Sequence, residues 1–198
     1  MVTDAYIVAQ IICWMKKLSV LIAFCFFSQA AMSQKLLPTV KAGTNITVDV
    51  DFHGQSVLLN LNYKSFADPI TIGWDVGGTS GTYAMPAKSL ESGKSFDLDQ
   101  PDPSIVTLLN GYETFMCVSK AAYQSLLKDK SFAYNGLTFT AKDNSDGFKL
   151  NGKTVDATYV ATSDGKTSLW ILNNPDMPLT LSLKGNPGGV NYSITSIE

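Results

Sequence analysis

The sequence predicts a mainly β fold: a curved antiparallel sheet, an open barrel or meander, with one or few covering helices. Three observations point there. Apolar and polar residues alternate with period two through most of the chain after residue 44. Clusters of Gly, Asn, Asp and Pro separate the alternating runs. Only one stretch has the spacing of an amphipathic helix. Period two bounded by turn formers is the mark of half-buried antiparallel strands.

The first run, "NITVDVDF" (45–52), places Ile46, Val48, Val50 and Phe52 on one face, with Thr47, Asp49 and Asp51 on the other. A His53-Gly54-Gln55 turn leads into "SVLLNLNY" (56–63). "PITIGWDV" (69–76) and "SGTYAMPA" (80–87) flank Gly77-Gly78. The segment 89–104, rich in Pro and acids, reads as a surface loop. "TFMCVS" (114–119) reads as another strand. Next comes "KAAYQSLLKDK" (120–130), whose Ala122, Tyr123, Leu126 and Leu127 form one helical stripe behind Ser119 as N-cap. Strands follow at 136–142, 146–152, 154–163, 167–174, 178–185 and 190–197. Ser163-Asp164-Gly165, Asn151-Gly152, Asn174-Pro175-Asp176 and Gly185-Asn186-Pro187-Gly188-Gly189 supply their turn chemistry.

The start of the chain has a different character. From Met15, Lys16-Lys17 precede an apolar run, and Ala31-Met32-Ser33 puts small residues before Gln34. That is the layout of a secretory signal peptide. Residues 1–14 have no part in it, so translation is expected to start at Met15. The expected organisation is therefore an N-terminal extension and signal peptide at 1–33, then a single exported domain at 34–198, periplasmic or extracellular. A membrane enters only through an uncleaved N-terminal segment.

Composition excludes several function classes. The chain has a formal net charge of −2, with 15 basic residues, all lysine. Loss of Lys16, Lys17 and Asp4 makes the exported part more negative by one charge. An acidic chain without Arg or a basic stripe is a poor nucleic-acid binder. With Cys13 and Cys25 removed, Cys117 stands alone and cannot pair within the chain.

Candidate chemistry is sparse. Asp75-Val76-Gly77-Gly78-Thr79 resembles the phosphate-binding hairpin of actin-like sugar kinases, but here it joins two strands in an exported chain, where Gly-Gly serves a tight turn. The only histidine, His53, could form a dyad with Cys117, yet Cys117 sits in an apolar run where a free Cys acts as a small hydrophobe. The chain lacks the His and Cys of a zinc site. "DNSDG" (143–147) and "DLDQPD" (97–102) gather oxygen ligands, but an EF-hand starting at Asp143 would need Glu where Thr154 stands. No cofactor is expected. Trp74, Tyr83, Trp170 and Tyr192 are the candidate ligand-binding residues, as wall residues of a sugar or lipid pocket. Core packing is the commoner use of such side chains.

The stretch "DATYVATSDGKTSLWILNNPDMPLTLSLKG" (156–185) runs strand, Asp-Gly-Lys turn, strand with Leu-Trp, "NNPDMPL", returning strand. It resembles the closing strands of exported LolA-like proteins, the lipoprotein-sorting carrier superfamily. The resemblance implies a strongly curved sheet that wraps around helices and encloses an apolar cavity for acyl chains. The expected function is a non-enzymatic exported binding domain for a lipid or other apolar ligand. An envelope scaffold or protein-interaction domain, or a hydrolase with acids not yet identified, are the alternatives. The expected partner is an apolar small molecule or an envelope protein.

Overall fold

The computed structural model describes residues 35–99, 101–103 and 105–198. The expected leader at 1–33 lies outside them. Among the described residues the chain forms one large curved sheet, antiparallel but for one edge strand, with two helices and no closure into a barrel. The first meander comprises β1 (Asn45–Phe52), β2 (Gln55–Ser65), β3 (Ile70–Val76) and β4 (Thr79–Met85). An excursion follows, with α1 (Ala87–Ser92), β5 (Ser95–Phe96), β6 (Val106–Leu108) and β7 (Glu113–Thr114). Helix α2 (Lys120–Asp129) then leads to the hairpin of β8 (Ser131–Tyr134) and β9 (Leu137–Ala141). A small hairpin, β10 (Lys149–Leu150) and β11 (Lys153–Thr154), precedes β12 (Ala157–Ala161), β13 (Ser168–Leu172), β14 (Thr180–Lys184) and β15 (Val190–Ile197).

The 11 strands lie in the order β6-β4-β3-β2-β1-β15-β14-β13-β12-β9-β8. The first and last strands therefore pair at the middle, from Ile46 opposite Ile197 to Phe52 opposite Val190. Local chemistry sets the hairpins. His53-Gly54 and Gly77-Gly78 both have two consecutive positive φ values, the requirement of a two-residue turn that matches strand twist. The acids before them accept the turn amides: Asp51 Oδ1 from Gly54 N at 2.8 Å, and Asp75 Oδ1 from Gly78 N at 3.4 Å. Asp75-Gly77-Gly78-Thr79 is thus the β3–β4 hairpin turn, with Val76 paired to Thr79.

One face of the sheet carries the core. Ile46, Val48, Leu61, Tyr63, Ile72 and Ile194 are buried there with α2 residues Ala122, Tyr123 and Leu126. The opposite face of β1 and β2 is polar and laced by cross-strand bonds, such as Ser56 Oγ to Asp49 Oδ1 at 2.9 Å. Ser119 caps α2, accepting from Ala122 N at 3.3 Å, as the sequence predicted. It also donates to Gly93 O at 2.7 Å, which ties α2 to the end of α1.

One expectation needs correction. "TFMCVS" is not a strand. Beyond Thr114 it crosses the core as irregular chain, Met116 has φ 56°, and only Cys117 makes a single bridge, to Leu179. Residues 114–119 are all buried, so alternation there does not report two faces. Trp170 lies on the face of β13 opposite the fully buried Leu169 and Ile171, where it is partly buried and packs against Tyr159 and the core residue Phe148, with ring centroids at 5.2 and 6.1 Å. A second helix, α1, interrupts the expected surface loop.

Leu126→Ala should cost about 2–5 kcal/mol, the usual range for truncating a buried Leu. Urea unfolding measures it. A smaller loss would mean that α2 is not the cover of the inner face.

Candidate apolar cavity

The inner face is not filled evenly. Around α2 it is packed solid. Toward the β1–β2 and β3–β4 turns it opens into a cavity of about 380 Å³. Val50, Val57 and Leu59 of the first hairpin form one wall. Trp74 and Val76 of β3 and Tyr83 of β4 continue it, and Tyr192 of β15 closes the far side. Phe115 and Met116 of the buried crossing form the floor. Leu98, between Asp97 and Asp99, covers it from the loop after β5.

Alternation explains the wall. Leu61 pairs with Trp74 and Ile72 with Tyr83, so large apolar side chains stand side by side on this face of β2, β3 and β4. Opposite Trp74 stands Gly81. A Cβ at Gly81 would meet three indole atoms at 2.8 Å, so the glycine lets the ring lie flat across β4. The Tyr83 ring stacks on Phe115 with centroids 4.2 Å apart, and its hydroxyl donates to Asp99 O at 3.3 Å.

A polar compartment of about 510 Å³ adjoins the apolar one. The two share Phe52, Asp97, Leu98, Asp99 and Val190. His53, Glu113 and Asn186 line the outer compartment. Asp97 is half-buried, and desolvation, together with the nearby charges of Asp99 and Glu113, raises its pKa against a lowering hydrogen bond from the Asp99 amide. Among the described residues the ion pairs are Lys120–Glu91 and Lys166–Asp164, neither of which involves these acids.

Deeper lies a cluster of buried hydroxyls. Tyr134 Oη and Thr114 Oγ1 share a hydrogen bond of 2.7 Å, and Thr114 Oγ1 also donates to Cys117 O. Burial pushes the Cys117 thiol up to about 12. It raises the Tyr63, Tyr83 and Tyr192 phenols too. At neutral pH these groups stay protonated and none is a ready nucleophile. Trp74 Nε1 is buried against Gly81 without a hydrogen-bond partner, and the Tyr192 phenol is buried beside Thr180, Cys117 and Tyr134.

No family model, no curated protein and no solved structure matches this chain. What the site can do is therefore argued from its own residues.

Of the four candidate ligand-binding residues, Trp74, Tyr83 and Tyr192 line one cavity, and Trp170 lies on the other side of the sheet. His53 and Cys117 do not meet: His53 is exposed at the β1–β2 turn, and Cys117 is fully buried and lines neither compartment. The "DNSDG" stretch forms an Asx turn, Asp146 N donating to Asn144 Oδ1 at 3.1 Å. Among the described residues no three potential metal ligands cluster. Sequence reasoning missed Asp97 and Asp99 as cavity residues. Their sole signal was the Asp-Leu-Asp alternation, an apolar residue set between two acids.

Gly81→Ala should displace the Trp74 indole, shift tryptophan emission and cost about 1–3 kcal/mol, as overpacking does. Unchanged emission and stability would show that the ring has room. The Asp97 pKa is higher folded than unfolded, so its ionised form costs stability at neutral pH, and the cost fades as pH falls through the folded value. Asp97→Asn should therefore raise Tm at pH 7, and the gain should vanish below about pH 4. Thermal melts across that range measure it. An equal gain at all pH values would place the cause elsewhere.

Proposed function

We propose that this chain is a non-enzymatic exported binding domain that holds the apolar part of a lipid or similar amphiphile against its curved sheet. The observation that carries this reading is the apolar cavity of about 380 Å³, whose walls are Val, Leu, Trp, Tyr and Phe side chains. Ligand pockets run from ~300 to 1,000 Å³, with apolar walls and a few placed polar groups. Asp97 and Asp99 at its edge are such groups. The LolA-like resemblance of 156–185 supports the same reading, because it implies a cavity for acyl chains. Export rests on the Lys-Lys, apolar, Ala-x-Ser layout before Gln34. Among the described residues no helix is long and apolar enough to cross a membrane.

A scaffold or protein-interaction reading has one observation in its favour. Edge strand β6 exposes Val106 and Leu108 at 63% and 70%. Open strand edges accept extended partners. The hydrolase reading gains no such support. Asp97, Asp99 and Glu113 come from adjoining segments, Asp97 N donating to Thr114 O at 2.9 Å, and do not face one another from opposite walls.

Native mass spectrometry of protein purified from its own envelope, followed by lipid extraction, should find a bound amphiphile. Leu59→Trp, which fills the cavity, should abolish binding of a neutral fluorescent apolar probe while stability stays within about 1–3 kcal/mol of wild type. Probe binding unchanged in that variant would move the site elsewhere. A protein that is empty and binds no probe would leave the scaffold reading.

A further inference from the structure

The core holds hydroxyls as well as hydrocarbon. Tyr63 of β2, Thr180 of β14 and Tyr192 of β15 are 0%, 0% and 4% exposed. Their hydroxyl oxygens are buried and make no hydrogen bond within the protein. They gather where the irregular crossing passes through the core. Thr180 N donates to Met116 O at 2.9 Å, and Cys117 bridges to Leu179. Burial raises the Tyr63 and Tyr192 phenols, and the charge of Cys117 adds to the rise in both. Tyr63 also senses the charge of Tyr192, and Thr180 stands beside the Tyr192 phenol. We infer that a water molecule is bound in the core at this point, bridging the hydroxyls of Tyr63, Thr180 and Tyr192 beside Cys117. Tyr63, Cys117 and Thr180 line neither compartment, so the site is distinct from the apolar cavity, whose wall Tyr192 shares.

Donor counting supports it. Each hydroxyl brings one O–H and two lone pairs. A direct bond between Tyr192 and Thr180 would use one O–H and leave the other, with that of Tyr63, unpaired. Water accepts two bonds and donates two, so one molecule can serve all three. Leaving a buried hydroxyl unpaired is costly, and buried waters commonly answer such groups. The neighbouring hydroxyls do not compete for it. Thr114 Oγ1 donates to Cys117 O, so Tyr134 Oη donates to Thr114 Oγ1 across their 2.7 Å contact. An ion fits less well. No charged residue is buried among those described, so an anion would lack a countercharge. A metal ion would need an ionised phenol or thiolate, and burial pushes the Cys117 thiol up to about 12. The water joins β2 of the first meander to β14 and β15 of the last, on the inner side of the β1–β15 pairing.

The test compares Tyr63→Phe, Thr180→Val and Tyr192→Phe in the full chain, singly and together. Each substitution keeps the side chain's shape and removes one hydroxyl. If the three share a water, each single variant should lower Tm by about 2–4 °C, the effect of one lost hydrogen bond in a domain of this size. The triple variant should lose less than the sum of the three, because the water leaves with its partners and the site becomes apolar. Hydroxyls without a water would give the opposite sign: each removal would relieve an unpaired group and raise Tm. A rise in any single variant, or a triple variant equal to the sum, overturns the inference. A high-resolution crystal structure of the wild type reads the same point independently. A water peak within hydrogen-bond distance of all three hydroxyls, and none there in the triple variant, is the expected result. Hydroxyls bonded directly to one another, with no water between them, would overturn it whatever the melting temperatures show.

Discussion

The pairing of β1 with β15 holds the molecule together. It joins the first meander to the last across nearly the whole described chain, and it places the two in the middle of the sheet rather than at an edge. Thr195 Oγ1 donates to Thr47 O at 3.2 Å across this seam, beside a register shift between Thr47 and Val48. Closing so long a loop costs entropy that only burial of a continuous face repays. That burial comes from inner-face residues on both sides of the seam, Ile46 and Val48 from one and Ile194 and Tyr192 from the other. Without the seam there would be two half-sheets, each with an exposed apolar face and a raw edge.

The cavity is a consequence of the same seam. Its walls come from β1–β4 on one side and β15 on the other, and its floor is the buried crossing at Phe115 and Met116. The helices fill only one end of the curved face. At the other end the sheet continues into the β1–β2 and β3–β4 turns with no element of comparable size above it. The loop after β5 provides the remaining cover, and it brings carboxylates with it. Desolvation and the neighbouring carboxylates disfavour the ionised form of Asp97 there, and Trp74 Nε1 is buried without a partner.

Much of the fold was legible because the relevant forces are local. β1 spans the residues predicted for it, the turns at Gly54 and Gly77-Gly78 fall where the glycines stand, and α2 begins at the Ser119 cap. Helix α1 escaped notice because six residues after Pro86 are too few to show helical spacing. β6 escaped because its parallel pairing with β4 leaves it at an edge, where Val106 and Leu108 are exposed and the usual contrast of faces is lost. "TFMCVS" misled for the opposite reason. It is buried on every side, so its residues alternate in size but not in environment.

By itself the sequence determined most of the strands, their turns and the single clear helix. Each of these depends on a residue and its near neighbours. Only the tertiary structure decided which side of β13 is the interior. Leu169, Trp170 and Ile171 are all apolar, so periodicity gives two equivalent answers, and packing chose Leu169 and Ile171. The tertiary structure also decided that Trp74, Tyr83 and Tyr192 share a cavity while Trp170 does not, and that Asp97 and Asp99 stand at its rim. A cavity is a space left between elements far apart in the chain. No local pattern encodes it, because it exists only once the β1–β15 seam has brought those elements face to face.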